Sequence, residues 1–132
     1  CLAARSGVDV RIITPGIPDK KLVFWLTQSF YGVLLAAGVK IYEYTPGFVH
    51  GKMFVADDIV ATVGSANMDY RSLYLHFECC TAFYYASVVQ KVKEDMLQTI
   101  GLSQEITLEE LAKQSNFKRL VQSILRVFAP LL

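Results

Sequence analysis

A strand, a helix and a second strand follow one another at the start of the chain, and this order most constrains the fold. Residues 8–12 alternate apolar and polar side chains, which is typical of a strand. From Asp19, a suitable N-cap, apolar residues recur at helical spacing as far as Ala37, and Gly38 supplies a helix stop. Residues 39–44 then have the pattern of a second strand. The order predicts a β-α-β unit.

Three later segments are predicted as strands, namely 52–56, 60–63 and 77–84. A tight turn through Asp57 and Asp58 pairs the first two as a hairpin. With the β-α-β unit, these strands predict an α/β class, in the form of an α/β/α sandwich half-domain with a mixed central sheet. We expect residues 1–132 to form a single domain, because this length is typical of one.

Two helices are predicted in the last third of the chain. One covers residues 88–100, and the other covers residues 117–128. Between them, Thr107 and Glu110 have the spacing of a capping box. The last helix carries an apolar stripe, which we interpret as core packing rather than as a surface that lies on a membrane.

Composition narrows the possible partners. The 13 basic and 12 acidic residues are scattered along the chain, so no nucleic-acid partner is expected. Apolar residues make up 53% of the chain, which predicts that some apolar surface meets a partner. No apolar run is long enough to span a bilayer.

The adjacent Cys79 and Cys80 fit neither a disulfide framework nor a zinc site, and we interpret them as small core residues. Because the chain begins at Cys1, it is expected to be cut from a longer protein.

The stretch from His50 to Asn67 combines residue types that suit phosphate chemistry. His50 and Lys52 are two residues apart and share one face of an extended strand, whereas Asp57 is expected to point the other way. Lys52 can neutralise nonbridging phosphate oxygens, and Asn67 can donate hydrogen bonds to them. A neutral His50 offers a nitrogen that can attack phosphorus. The hairpin returns Asn67 toward His50, so the three side chains could converge.

These residues match the signature H-x-K-x4-D-x6-G-S-x-N, and by this match the chain resembles the phospholipase D superfamily. The matching positions are His50, Lys52, Asp57, Gly64, Ser65 and Asn67. The resemblance implies that His50 is the nucleophile, which forms a phosphohistidine, and that Lys52 and Asn67 bind the phosphate. It implies that Ser65 is a supporting hydroxyl and that Asp57 ties down the local backbone. It also implies that no metal or other cofactor takes part.

The residues after the signature resemble the carboxyl-terminal half of bacterial cardiolipin synthases. Arg71-Ser72 and Phe77-Glu78 match the continuation in that family, and the segments 2–15, 36–44 and 126–132 extend the resemblance over nearly the whole chain. The resemblance implies that Glu78 orients the nucleophilic imidazole. Glu78 could instead pair with Arg71, and Arg71 is either a phosphate or headgroup contact or this structural partner.

Enzymes of this superfamily need two such motifs facing each other, and this chain has one. A second histidine must protonate the leaving oxygen and then deprotonate the acceptor hydroxyl. His76 is the other histidine of the chain, but it lies among apolar residues where the family pattern commonly has asparagine, so we favour a structural role for it. The missing acid is expected from an amino-terminal half or from a second copy in a homodimer. His50 could also be the acid rather than the nucleophile.

The resemblance implies that two phosphatidylglycerols are condensed to cardiolipin and glycerol at the cytoplasmic face of a bacterial membrane. The expected partners are thus phosphatidylglycerol and a membrane surface, with the chain itself soluble. One alternative is a hydrolase of the same superfamily, in which water is the acceptor. Another is a binding half that is inactive when isolated.

Overall fold

The computed structural model describes residues 1–131; Leu132, which ends the segment 126–132, lies outside the described residues. The helices are α1 (Leu2–Arg5), α2 (Lys21–Ser29), α3 (Tyr31–Ala36), α4 (Ser87–Gly101), α5 (Leu108–Ala112) and α6 (Asn116–Val127). The strands are β1 (Arg11–Pro15), β2 (Lys40–Tyr44), β3 (Met53–Ala56), β4 (Val60–Gly64), β5 (Cys80–Tyr84) and β6 (Ser103–Ile106). A π-helical turn covers Arg71–Leu75, and a short 3-10 turn covers Ala129–Leu131.

Contacts group these elements into two compact units. The first unit contains Cys1–Val49 and Leu102–Ala129, and the second is built on His50–Gly101. Each unit contains one three-stranded sheet. The predicted α/β class is confirmed, although the described strands are hydrogen-bonded in two sheets where one central sheet was expected. In this range of residues, none of the helices has both the length and the hydropathy to cross a bilayer.

The sheet of the first unit has the order β1-β2-β6 and is mixed. Strands β1 and β2 are parallel, with the helices α2 and α3 between them in sequence, so the predicted β-α-β unit is confirmed. Strand β1 begins later than predicted because its register pairs Arg11 with Lys40, the first residue of β2. The sequence pattern missed β6, which pairs antiparallel with β2. Its residues, Ser-Gln-Glu-Ile, have no apolar alternation to reveal a strand.

The core of the first unit consists of Tyr31, Val39 and Ile41. Tyr31 is 1% exposed, yet its hydroxyl is satisfied, since it lies 2.8 Å from Thr14 Oγ1 and donates to Glu43 Oε1 at 3.0 Å. Burial raises the pKa of Tyr31, so the hydroxyl stays protonated and able to donate. The buried aromatic ring thus joins helix α3 to both strands of the β-α-β unit.

The prediction of one helix from Asp19 to Ala37 is wrong, because the segment forms α2 and α3 with a break at Phe30. The Thr27 hydroxyl donates to the Val23 carbonyl at 3.0 Å, and the Ser29 hydroxyl donates to the Leu26 carbonyl at 2.6 Å. Such bonds compete with the helical backbone pattern and bend helices. The helix also begins later than expected: its N-cap is Lys20, without a side-chain cap, rather than Asp19.

The apolar stripe of α6 is largely outside the core, which corrects our interpretation of it. Its exposed members are Phe117, Leu120, Ile124 and Phe128. Helix α6 is held against α2 at one end, where Arg126 donates to the Ser29 carbonyl and its guanidinium carbon lies 4.9 Å from the centre of the Phe30 ring. The predicted capping box before α5 is confirmed, since Thr107 and Glu110 exchange both hydrogen bonds.

The sheet of the second unit has the order β3-β4-β5 and is antiparallel throughout. Asp57 and Asp58 form the predicted hairpin turn, with φ of 51° and 58°, and the turn closes with Ile59 N donating to Ala56 O at 3.1 Å. Helix α4 packs across the sheet, and Val89 is completely buried there. Strand β5 begins at Cys80, later than predicted.

The two cysteines beside the start of β5 are not core residues. Cys79 and Cys80 are exposed free thiols, contrary to our interpretation of them as buried. Their neighbours in β5 alternate little in burial, because only Phe83 of that strand is even half-buried. The apolar character of the segment therefore reports an uncovered strand rather than a core strand.

We predict that Tyr31→Phe lowers the free energy of unfolding by about 1–2 kcal/mol, because it removes a buried hydroxyl that bonds to two side chains. Urea denaturation measures the change. The matched control is Tyr74→Phe, because Tyr74 is 77% exposed, and the free energy of unfolding of this variant should change by no more than about 0.5 kcal/mol. Equal stabilities for the two variants would contradict the role given to the Tyr31 hydroxyl.

Candidate active site

The antiparallel order β3-β4-β5 collects most of the signature residues at one end of the second sheet. His50 and Lys52 precede β3, Ser65 and Asn67 follow β4, and Glu78 precedes β5. In an antiparallel sheet of this order, the start of one strand, the end of the next and the start of the third lie side by side. The topology therefore brings together residues that are up to 28 positions apart in sequence.

Asp57 lies at the opposite end of the same sheet, in the β3–β4 turn. Its φ of 51° is in the left-handed region, which aspartate tolerates better than most residues. The structure thus places Asp57 apart from His50 and Lys52, in the turn, and the prediction that its side chain points to the opposite face stays a prediction. That its carboxylate ties down the local backbone remains a prediction.

His50 and Lys52 are in direct contact, which confirms that they share a face. Lys52 Nζ lies 2.8 Å from Nδ1 and 3.0 Å from Nε2 of the His50 ring, and it donates to the His50 carbonyl at 3.0 Å. An ammonium group can only donate and a neutral imidazole accepts through one ring nitrogen, so Lys52 donates to one of the two nitrogens and lies close to the other. The His50 side is exposed, whereas Lys52 is half-buried. The contact places a cation beside the proposed nucleophile.

Backbone hydrogen bonds join the three strand ends around this pair. Gly64 N donates to the Lys52 carbonyl at 3.1 Å, and Ser65 N donates to the Cys79 carbonyl at 3.0 Å. A side chain on Gly64 could not be accommodated, because its Cβ would lie 2.6 Å from Cys80 Cα and closer still to the Cys79 carbonyl oxygen. The glycine of the signature is thus explained by the close approach of β5.

Ser65 links the end of β4 to Glu78. Its hydroxyl donates to Glu78 Oε2 at 2.5 Å and accepts from Cys79 N at 3.0 Å. The Ser65 hydrogen bond lowers the pKa of Glu78, with a further lowering from a hydrogen bond to Ser72 and a smaller one from the charge of Lys52. Glu78 is therefore a carboxylate held by hydroxyl groups. Its expected role in orienting the His50 imidazole remains a prediction.

Among the described residues, no ion pair joins Arg71 to Glu78. The role of Arg71 as a structural partner of Glu78 is therefore excluded. The Nε and Nη2 atoms of Arg71 lie 3.2 and 3.0 Å from Nε2 of His76. The backbone closes the same turn, because His76 N donates to the Arg71 carbonyl at 2.8 Å. Sequence reasoning missed this pair, since a spacing of five residues brings side chains together only in a π-helical turn, which periodicity does not reveal.

Asn67 lies in the exposed segment between β4 and the π-helical turn. It is on the same end of the sheet as His50 and Lys52, as the hairpin predicted, but its convergence on them remains a prediction. This end of the sheet and the segment that follows β4 carry an imidazole ring, two cations, an amide and a carboxylate. These groups suit an anionic phosphate ester better than a neutral substrate.

We predict that Ser65→Ala raises the pKa of Glu78 toward the ordinary carboxyl range, because Ser65 is the main cause of its lowering. Titration of the Glu78 side-chain carbon by NMR measures the shift. Ser72→Ala, which removes the second cause, should give a smaller rise.

The lowered pKa of Glu78 also determines how the free energy of unfolding changes with pH. A carboxyl group with a lowered pKa stabilises the folded chain above the ordinary range of about 4.3, and this stabilisation is lost as the pH falls through the lowered pKa. An unchanged Glu78 titration in Ser65→Ala would contradict the hydrogen bond as its cause.

Comparison with known proteins gives one family. A family model described as "Cardiolipin synthase, PLD-like domain" matches residues 1–100. A cardiolipin synthase of Geobacillus kaustophilus is 42% identical over 131 residues, which are 99% of this chain and 26% of that protein. A cardiolipin synthase of Clostridium perfringens strain SM101 is 43% identical over 131 residues, or 99% of this chain and 28% of that protein.

A protein of Streptococcus mutans described as uncharacterized is 51% identical over 130 residues, which are 98% of this chain and 28% of that protein. The chain thus spans about a quarter of the length of these relatives. No solved structure gives a significant match.

Proposed function

The chain belongs to the cardiolipin synthase family of phospholipase D-like domains, and from this membership we propose that it transfers a phosphatidyl group through a phosphohistidine. The observation that carries the proposal is the contact of Lys52 Nζ with both ring nitrogens of His50. A nucleophile that must approach an anionic phosphodiester needs such a cation at hand. The family membership supplies the substrate class, a phospholipid.

The proposed reaction has two steps at phosphorus. A ring nitrogen of His50 attacks the phosphodiester of one phosphatidylglycerol, the P–N bond forms, and the P–O bond to glycerol breaks. A general acid protonates the departing glycerol oxygen. The same group then takes the proton from a hydroxyl of a second phosphatidylglycerol, whose oxygen attacks phosphorus as the P–N bond breaks. The products are cardiolipin, glycerol and free His50.

The neighbours of His50 have distinct parts in this reaction. Lys52 moves from the imidazole to the nonbridging oxygens when the phosphate arrives, and Asn67 donates to those oxygens. Glu78, kept ionised by its bond to Ser65, stabilises positive charge on the phosphorylated ring. These groups provide charge stabilisation from side chains alone.

The general acid comes from outside the residues of this motif. His76 is a poor candidate, since its Nε2 accepts from Arg71 and so has its lone pair engaged. We propose that an amino-terminal half with a second motif, or a second copy of the chain, supplies the acid. A set of exposed apolar side chains in the second unit supports such a partner, namely Met68, Tyr70, Leu73, Tyr74, Leu75 and Phe77.

The alternative reaction is hydrolysis, in which water replaces the second phosphatidylglycerol. The exposure of His50 favours it, because nothing among its described neighbours buries the side chain from water. In either case the substrate is a lipid, so we propose that the protein acts at a membrane surface, on the cytoplasmic face of a bacterial membrane.

We predict that the full-length polypeptide carrying this chain converts vesicles of phosphatidylglycerol to cardiolipin and glycerol. Thin-layer separation of the lipid products measures the outcome. Phosphatidic acid without cardiolipin would establish the hydrolase instead. Neither product would indicate a binding half, and would contradict both reactions.

We also predict that His50→Asn abolishes a covalent protein adduct formed with phosphatidylglycerol labelled at phosphorus, because the amide nitrogen of asparagine has no basic lone pair to attack phosphorus. Lys52→Ala should keep the nucleophile but slow turnover by about 10²-fold, since it removes a stabilising cation. Detergent quenching followed by electrophoresis measures the adduct.

Arg119→Ala, an exposed cation on α6, is the matched control and should leave both quantities unchanged. An adduct that persists in His50→Asn would assign the nucleophile to the second motif, with His50 as the acid.

A further inference from the structure

The Arg71–His76 pair lies within the neighbourhood of the candidate site. The π-helical turn that contains Arg71 connects Asn67 to Glu78 in the chain. Its second residue, Ser72, forms a side-chain hydrogen bond with Glu78, which lowers the pKa of that carboxyl group. Glu78 also bonds to Ser65, so the turn that begins at Arg71 and the signature residue Ser65 both contact the same carboxylate.

The geometry determines the state of the His76 ring. Two N–H groups of the guanidinium point at Nε2 of His76, at 3.2 and 3.0 Å. A guanidinium has donors only, so Nε2 must be the unprotonated acceptor, and the proton of a neutral ring is on Nδ1. The His76 imidazole is therefore neutral while it accepts from the charged arginine.

A neutral imidazole leaves the charge of the arginine uncompensated, which a carboxylate would not. An arginine paired with a carboxylate is compensated, whereas an arginine held by imidazole keeps its full positive charge for a third group. Among the described residues, the ion pairs involve Asp9 and Asp58, and neither of these acids is bound to Arg71. The guanidinium has five donors, and those directed at His76 are on one edge.

We propose that Arg71 is a further phosphate-binding residue of the site, and that His76 is its positioning residue, whose neutral imidazole orients the guanidinium without cancelling its charge. The substrate group is the phosphodiester of an anionic phospholipid, so the inference rests on the proposed function for the identity of the lipid. Planar guanidinium groups match two phosphate oxygens at once, which a lysine cannot do. Lys52 and Arg71 would then contact the phosphate as a point charge and a fork.

The position of His76 also suggests how to test the pair. The side-chain oxygen of asparagine, like Nε2 of a neutral imidazole, is an uncharged acceptor for a guanidinium. His76→Asn should therefore preserve the positioning, whereas His76→Ala should lose it. If His76 only filled space, His76→Asn and His76→Ala would weaken phosphate binding equally.

The experiment measures the dissociation constant of inorganic phosphate for the full-length polypeptide by calorimetry, at pH 8 and fixed salt. Arg71→Ala should raise this constant about 10-fold and His76→Ala about 5-fold, as expected for a charge-assisted hydrogen bond and its partial loss. His76→Asn should stay within about 2-fold of the unchanged chain. Arg119→Ala, the matched loss of an exposed arginine, should have no effect.

Two further readouts separate positioning from general structure. In an Arg71→Ala background, His76→Ala should cause no additional loss, because His76 acts through the arginine. In the unchanged protein, nitrogen NMR of His76 should show an unprotonated Nε2 and a protonated Nδ1. In phosphatidylglycerol turnover, Arg71→Ala should raise KM more than it lowers kcat.

Each contrary outcome is specific. A protonated Nε2, additive losses in the double variant, or unchanged phosphate binding in Arg71→Ala would overturn the inference. So would phosphate binding by the unchanged protein that is too weak to measure. If phosphate binding follows the predicted series but no phosphatidylglycerol is turned over, the proposed reaction fails while the Arg71 site stands. If the lipid is turned over and Arg71→Ala changes neither phosphate binding nor KM, only the inference fails.

Discussion

The close approach of β5 to Gly64 is the contact on which the candidate site depends. Without a Cβ at Gly64, the backbone of Cys79 and Cys80 can lie against the end of β4, and Ser65 bonds to Cys79 through both its backbone and its hydroxyl. The same Gly64 bonds back to the Lys52 carbonyl. One residue without a side chain thus joins three strand ends, and each of those ends carries a residue of the site.

The charges of the site are arranged so that its cations remain available. Lys52 is held by an imidazole and a carbonyl, and Arg71 by a second imidazole, so that neutral acceptors hold both. The carboxylate of Glu78 is held by the Ser65 hydroxyl and that of Asp69 by the Ser72 backbone, rather than by a cation. Ion pairing of the described residues occurs elsewhere, at Asp9 and Asp58. An anionic ester can therefore bind these cations without first breaking an ion pair between them and a carboxylate.

The first unit shows how far short-range patterns can be trusted. The β-α-β order was predictable, because strand alternation and helical spacing are local properties. The break at Phe30 was not predictable, because it is accompanied by hydrogen bonds from the Thr27 and Ser29 hydroxyls to backbone carbonyls, which bend helices. The exposure of the α6 stripe was also unpredictable, because an apolar stripe states that a face avoids water and not what covers it.

The sequence alone determined the residues of the signature, the hairpin at Asp57 and Asp58, and the common face of His50 and Lys52, because spacing along an extended strand decides which side chains share a face. The tertiary structure alone decided that Glu78 bonds to Ser65 and that Arg71 bonds to His76. The first of these bonds depends on the pairing of β4 with β5, and the second on a turn with an unusual period. Neither is encoded in local periodicity, since each is selected by which backbone groups find partners once the sheet has formed.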